Sequence, residues 1–155
     1  MCALYFYWRE VEGGGMGPKL AKELDLEEFL ESNAAGVVVD VRNTQTWQLA
    51  FSHDAPTRKA VKQKLSEDLI YERAIQNVES LGVIGVQEYL DQFIEQLNNT
   101  YHWTLPTPDR LNTTGNRSTK DQISDTTRRR IEALNAMDLA LYAHVLNQHV
   151  LDDPA

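Results

Sequence analysis

The chain has 155 residues, 42% of them hydrophobic, with a formal net charge of −8, enough for one ordinary domain around one core. The acidic balance argues against general nucleic-acid binding, which draws most of its affinity from phosphate neutralisation. Cys2, the single cysteine, excludes an internal disulfide and the cysteine-rich zinc patterns, and the apolar start from Met1 to Trp8 is too short for a bilayer span or signal core, so the chain reads as cytosolic with no membrane segment.

In Met1 to Trp8, Leu4, Tyr5, Tyr7 and Trp8 already have a core-facing pattern, closed by Arg9 and Glu10. Glu12 to Pro18 is a glycine-rich turn. Lys19 to Leu24 and Leu26 to Leu30 then carry short helical patterns, with Asp25 as N-cap and Glu28 completing a capping box. Val37-Val-Val-Asp-Val is strand-like by composition. In Asn43-Thr-Gln-Thr-Trp-Gln-Leu, the amides of Asn43 and Gln45 suit either a hydroxyl-rich ligand or the tying down of a loop. The plainer reading is a polar helix start that turns Trp47 and Leu49 to the core.

Charge is unevenly spread: residues 56 to 65 carry +4 and 101 to 130 carry +3, whereas the other three stretches are acidic. In the first basic island Arg58, Lys59 and Lys62 fall on neighbouring turns of a helical segment. They form either a solvated face or a surface for a sulfated or uronate-bearing sugar.

From Ser66, a candidate N-cap, Leu69, Ile70, Ala74, Ile75, Val78 and Leu81 recur at helical steps. Gly82 stops that pattern, and Val83-Ile-Gly-Val is a short apolar run suited to a buried parallel strand. Helical spacing returns through Tyr89, Leu90, Phe93, Ile94, Leu97 and Tyr101. Leu105 to Lys120 is a loop by its Pro, Gly, Asn and Thr content. A helix capped by Ser124 runs to Asn135, and another from Ala136 to about Val150 places Met137, Leu141, His144, Val145 and Gln148 on one face with Leu134. The fold expected from these elements is α/β.

Within the loop, Asn112, Thr113, Thr114, Arg117, Ser118 and Lys120 combine hydroxyls with positive charge, a composition suited to covering phosphate oxygens or to an ordinary surface loop. The sequons at Asn98, Asn112 and Asn116 are read as chance in an Asn- and Thr-rich context. His144 and His149 are five apart, no His-x-x-x-His pair exists, and so no metal site is expected.

The run Ala74 to Leu97, the phrase Asn43-Thr-Gln-Thr, the stretch Asn112 to Arg117 and the run Asn135-Ala-Met-Asp-Leu-Ala-Leu-Tyr together resemble the C-terminal portion of the sulfotransferases, particularly the carbohydrate-type enzymes and their bacterial relatives. The resemblance covers about Leu4 to Val150. It implies one partial domain over 1–155, the mostly helical C-terminal part of a P-loop-like sulfotransferase fold with few strands retained. It also implies 3′-phosphoadenosine 5′-phosphosulfate as sulfate donor, a carbohydrate or other hydroxyl acceptor, donor contacts from Arg117, Thr113 and Thr114, and acceptor contacts from Asn43 and Gln45.

The sequence departs from the family where donor chemistry begins. The strand-loop-helix that grips the 5′-phosphosulfate is missing, and Tyr5-Phe-Tyr-Trp-Arg fits the end of a family helix whose phosphate-binding Ser position is Ala3 here. The family's general base is not assigned to any residue of this chain. Sulfuryl transfer needs an in-line donor, a base and positive charge at the bridging oxygen, so the expectation is a relative without turnover. The alternative is a non-catalytic helical module that binds a partner or an anion. In either case the 83–86 strand is expected to expose an edge that promotes self-association.

Overall fold

A computed structural model describes residues 2–12, 14–51, 59, 61–107 and 123–149. The helices bounded within the described residues include α1 (Cys2–Glu10), α2 (Met16–Glu23), α3 (Leu26–Glu31), α4 (Ala35–Val41), α5 (Thr44–Ala50), α6 (Glu67–Glu79), α7 (Leu90–Tyr101), α8 (Asp125–Leu134) and α9 (Ala136–His149), with a 3₁₀ turn at Gln87–Tyr89 before α7. Among the described residues there is no strand and no sheet. This overturns the α/β expectation, and nothing in these residues shows a P-loop-like fold.

Two segments account for the difference. Val37 to Val41, expected as a strand, is α4, with Val37 and Val41 fully buried beside Tyr5, Ala21 and Phe29. Burying one valine is worth roughly 1.5–3 kcal/mol. The helix-propensity penalty of a β-branched residue is below about 0.7 kcal/mol, so burial decides the conformation. Val83 to Val86 is extended at Val86 but joins no ladder, and the residues from 83 to 86 are half-buried or exposed. Gly85 lies against the Phe93 ring, where an added Cβ would sit 2.6 Å from ring carbons. The run is therefore a lead-in packed on α7 by a close glycine contact. The strand edge on which self-association was expected has no counterpart in it.

The helix ends follow the sequence closely. Asp25 accepts from the Glu28 N–H at 2.8 Å while Glu28 accepts from the Asp25 N–H at 3.2 Å, a complete capping box on α3. Ser66 caps α6 through the Leu69 N–H, and Ser124 caps α8 through the Thr127 N–H.

Packing proceeds in three linked clusters. Tyr5, Ala21, Phe29, Val37 and Val41 join α1 to α4, with the Tyr5 hydroxyl donating to the Leu24 carbonyl at 2.9 Å. Trp47, Ala50, Ile70 and Ala74 join α5 to α6. Val78, Leu141 and Val145 seat α9 on α6. Helix α8 is held to α3 by a two-pronged Arg130–Glu31 pair at 2.5 and 2.8 Å, beside a Thr127 hydroxyl that donates to Glu27 at 2.6 Å. No helix among the described residues is long and apolar enough to cross a membrane.

Candidate functional site

Asn43 is the hinge of the central arrangement. Its φ of 50° is left-handed, a conformation Asn tolerates better than most residues, and it turns the chain from α4 into α5. There its side-chain oxygen accepts from the backbone N–H groups of Met137 at 3.0 Å and Asp138 at 3.2 Å, in the first turn of α9. The Asn43 N–H in turn donates to Asn135 Oδ1 at 3.1 Å. Asp138 reaches back, accepting from the Thr46 N–H at 2.8 Å, the Thr46 hydroxyl at 2.7 Å and the Gln45 N–H at 3.2 Å. The first-turn N–H groups of two helices, orphaned by helix geometry, are thus satisfied by each other's side chains.

Below this clamp lies a cavity of about 1020 Å³. Trp47, Val38, Val39, Leu134 and Met137 line its apolar part, and Arg42, Asn43, Lys59, Lys62, Gln63 and Glu67 its polar part. Arg42 is anchored by donating to the Leu30 and Ser32 carbonyls at 3.1 and 2.9 Å, which fixes its guanidinium at the end of α3. The Lys62 ammonium stands 5.8 Å from the centre of the Trp47 ring, a cation–π arrangement. The cavity therefore pairs an apolar floor with three basic side chains and one acidic one.

The two residues expected to contact an acceptor are separated. Asn43 lines the large cavity with Lys59 and Lys62, whereas Gln45 lines another, of about 580 Å³, among Leu49, Val78, Ile84, Phe93 and Leu141. Arg58, Thr113, Thr114 and Arg117, with the rest of the expected donor loop, lie outside the described residues. No strand-loop-helix element of the kind that grips a phosphosulfate occurs among the described residues.

A third group was not anticipated from spacing. Glu79, at the end of α6, faces both His144 and His149 of α9, with its Oε1 at 2.5 Å from His144 Nε2 and 3.3 Å from His149 Nε2. The two imidazoles meet edge to face with centres 6.2 Å apart. Hydrogen bonding from His144 first, then from His149, holds the Glu79 carboxyl below the usual carboxylate range. Residues five apart on a helix sit about 140° apart around the axis, which argued against a shared site. A carboxylate from a second helix fills the gap between them, and that relationship spans 65 residues of chain.

No protein-family model, curated protein or solved structure matches the chain. The sulfotransferase resemblance accordingly rests on the residues quoted for it.

Proposed function

We propose that the chain is a relative of the carbohydrate sulfotransferases that binds an anionic, hydroxyl-rich carbohydrate in the cavity beside Asn43 and does not itself transfer sulfate from 3′-phosphoadenosine 5′-phosphosulfate. The observation that carries this reading is the clamp. The two phrases on which the resemblance leans, Asn43-Thr-Gln-Thr and Asn135-Ala-Met-Asp, are 92 residues apart and hydrogen-bond directly to one another. Arg42, Lys59 and Lys62 give the adjoining cavity the charge that a sulfated or uronate-bearing sugar requires, and Asn43 brings a neutral polar edge to the same wall. The proposed lack of turnover is supported by Ala3, which stands where the family has its phosphate-binding Ser. A cytosolic setting belongs to the same proposal.

The test is a pair of measurements on purified protein. Sulfated and unsulfated oligosaccharides are titrated by NMR into wild type and a Lys59→Glu/Lys62→Glu variant, and labelled sulfate donor is incubated with the protein and a glycan panel. Saturable shifts around Asn43 and Trp47, weakened at least tenfold in the variant, with no sulfate incorporated, are the expected results. Sulfate transfer above a protein-free control would overturn the inactive reading, and shifts unaffected by charge reversal would overturn the cavity assignment.

A second reading, a non-catalytic helical module for an apolar anion, is favoured by the floor of Trp47, Val38, Leu134 and Met137. Preferential binding of a long-chain or aromatic carboxylate over the oligosaccharides would select it.

A further inference from the structure

We propose that Glu79, His144 and His149 form a binding site for one divalent transition-metal ion of the zinc class, independent of the carbohydrate reading. Each residue offers one ligand atom, and the three atoms lie within 4.8 Å of one another. Two imidazole nitrogens and one carboxylate oxygen are a ligand set that zinc accepts, with a fourth position left for water. Bonds of about 2.0–2.2 Å in tetrahedral geometry put ligand atoms roughly 3.3–3.6 Å apart. The Glu79–His149 separation of 3.3 Å already meets this, and the 2.5 Å Glu79–His144 separation must open by about 1 Å. The half-exposed Glu79 side chain can rotate to allow it.

The backbones that carry the ligands are held in place. Val78, next to Glu79, packs against Leu141, about one turn before His144 in α9, and Val145, directly after it. The ligand atoms are therefore brought together by core packing, so little further ordering is needed on binding. Imidazole donors and a low ligand number select a borderline ion over magnesium or calcium, which take six or more oxygens. An ion held there would cross-link the C-terminal turns of α6 and α9.

The experiment uses the full chain, stripped with a chelator and titrated with Zn²⁺ alone. Calorimetry should show one ion per chain, with affinity lowered at least tenfold by Glu79→Gln and lost in His144→Ala/His149→Ala. His102→Asn, outside the cluster, should leave binding unchanged. In unsubstituted protein, Zn²⁺ should move the imidazole nitrogen resonances of His144 and His149 and raise the thermal midpoint, and Mg²⁺ should do neither. Absence of stoichiometric binding, binding retained in the double variant, or imidazole shifts confined to His53 and His102 would each overturn the site and leave a hydrogen-bonded cluster only. The resonance measurement needs no substitution, so a variant that fails to fold does not remove the test.

Discussion

Asn43 and Asp138 cap each other's helices: the Asn43 side-chain oxygen accepts from the Asp138 N–H at 3.2 Å, and the Asp138 carboxylate accepts from the Thr46 N–H, three residues past Asn43, at 2.8 Å. The carboxylate also lies at the positive end of the α5 peptide dipoles. Thr46 is fully buried, so no solvent stands ready to replace Asp138 as acceptor.

Asp138→Ala should therefore be more costly than an ordinary cap deletion. A lost N-cap is worth about 0.5–2 kcal/mol, and a buried donor left unsatisfied adds about 1–3 kcal/mol. An overall loss of about 2–4 kcal/mol is expected, read as a lowered urea midpoint followed by circular dichroism. Asn43→Gly keeps the left-handed turn and loses only the side-chain acceptor, so about 1 kcal/mol is expected there. Because the residues share one network, the double variant should fall short of the summed effects by at least about 0.5 kcal/mol. Strict additivity would mean that the two caps act separately.

Much of the helical framework was legible because its signals are local. Asp25 with Glu28, Ser66 and Ser124 mark helix starts through side chains that reach only three residues along the chain. The stripe of α6 likewise put Ile70, Ala74 and Val78 inside, although Leu69 and Leu81, read as part of it, are half-exposed. What sequence could not supply was partnership. The valines of α4 look like a strand until Tyr5 and Phe29 are placed beside them, and Val83 to Val86 looks like one although no partner strand stands beside it among the described residues. The same holds for function: Asn43 was singled out by its chemistry, but its link to Asp138 and that of Glu79 to His144 depend on how α5 and α6 dock on α9.

Two glycines record close approaches that a side chain would block. A Cβ on Gly17 would lie 2.4 Å from the Trp8 ring, and one on Gly85 would lie 2.6 Å from Phe93. Gly17→Ala forces the indole out of the first cluster and should destabilise by about 1–3 kcal/mol, the usual range for overpacking. Gly85→Ala should release the 83–86 lead-in from α7, seen as faster amide exchange at residues 84–86 with a smaller change in global stability. Equal slowing or no change of exchange there would contradict the packed lead-in.

The Arg130–Glu31 pair gives α8 a pH-dependent hold on α3. Hydrogen bonding to Arg130 holds the Glu31 carboxyl below its ordinary range, and Arg130 stays charged throughout. A carboxyl depressed on folding stabilises fully above its unfolded value of about 4.3 and loses that contribution as pH falls through the lower folded value. Wild type should accordingly exceed Glu31→Gln in thermal midpoint at neutral pH, and the difference should close on acidification below about pH 4. Both side chains are about half exposed, so added salt should shrink the difference as well. Carbon NMR titration of Glu31 in Arg130→Met should return its carboxyl to the ordinary range; an unmoved titration would assign the depression elsewhere.

The nucleotide expectation is separable from the cavity and from the metal site. Arg110, Arg117 and Lys120 concentrate positive charge in a chain whose net charge is −8, and Thr113 and Thr114 add hydroxyl donors to the same stretch. Following the resemblance, adenosine 3′,5′-bisphosphate should bind weakly, with an affinity that falls as salt is raised, because dissolved ions screen the attraction between phosphate and basic side chains. Arg117→Ala should weaken it at least fivefold by removing a guanidinium suited to paired phosphate oxygens. Lys62→Glu, in the cavity, should leave nucleotide binding unchanged while weakening the anionic oligosaccharide. NMR titration of both ligands into both variants separates the two sites. Nucleotide shifts that follow Lys62 and ignore Arg117 would show that the cavity is the anion site and that the donor assignment to Arg117, Thr113 and Thr114 fails.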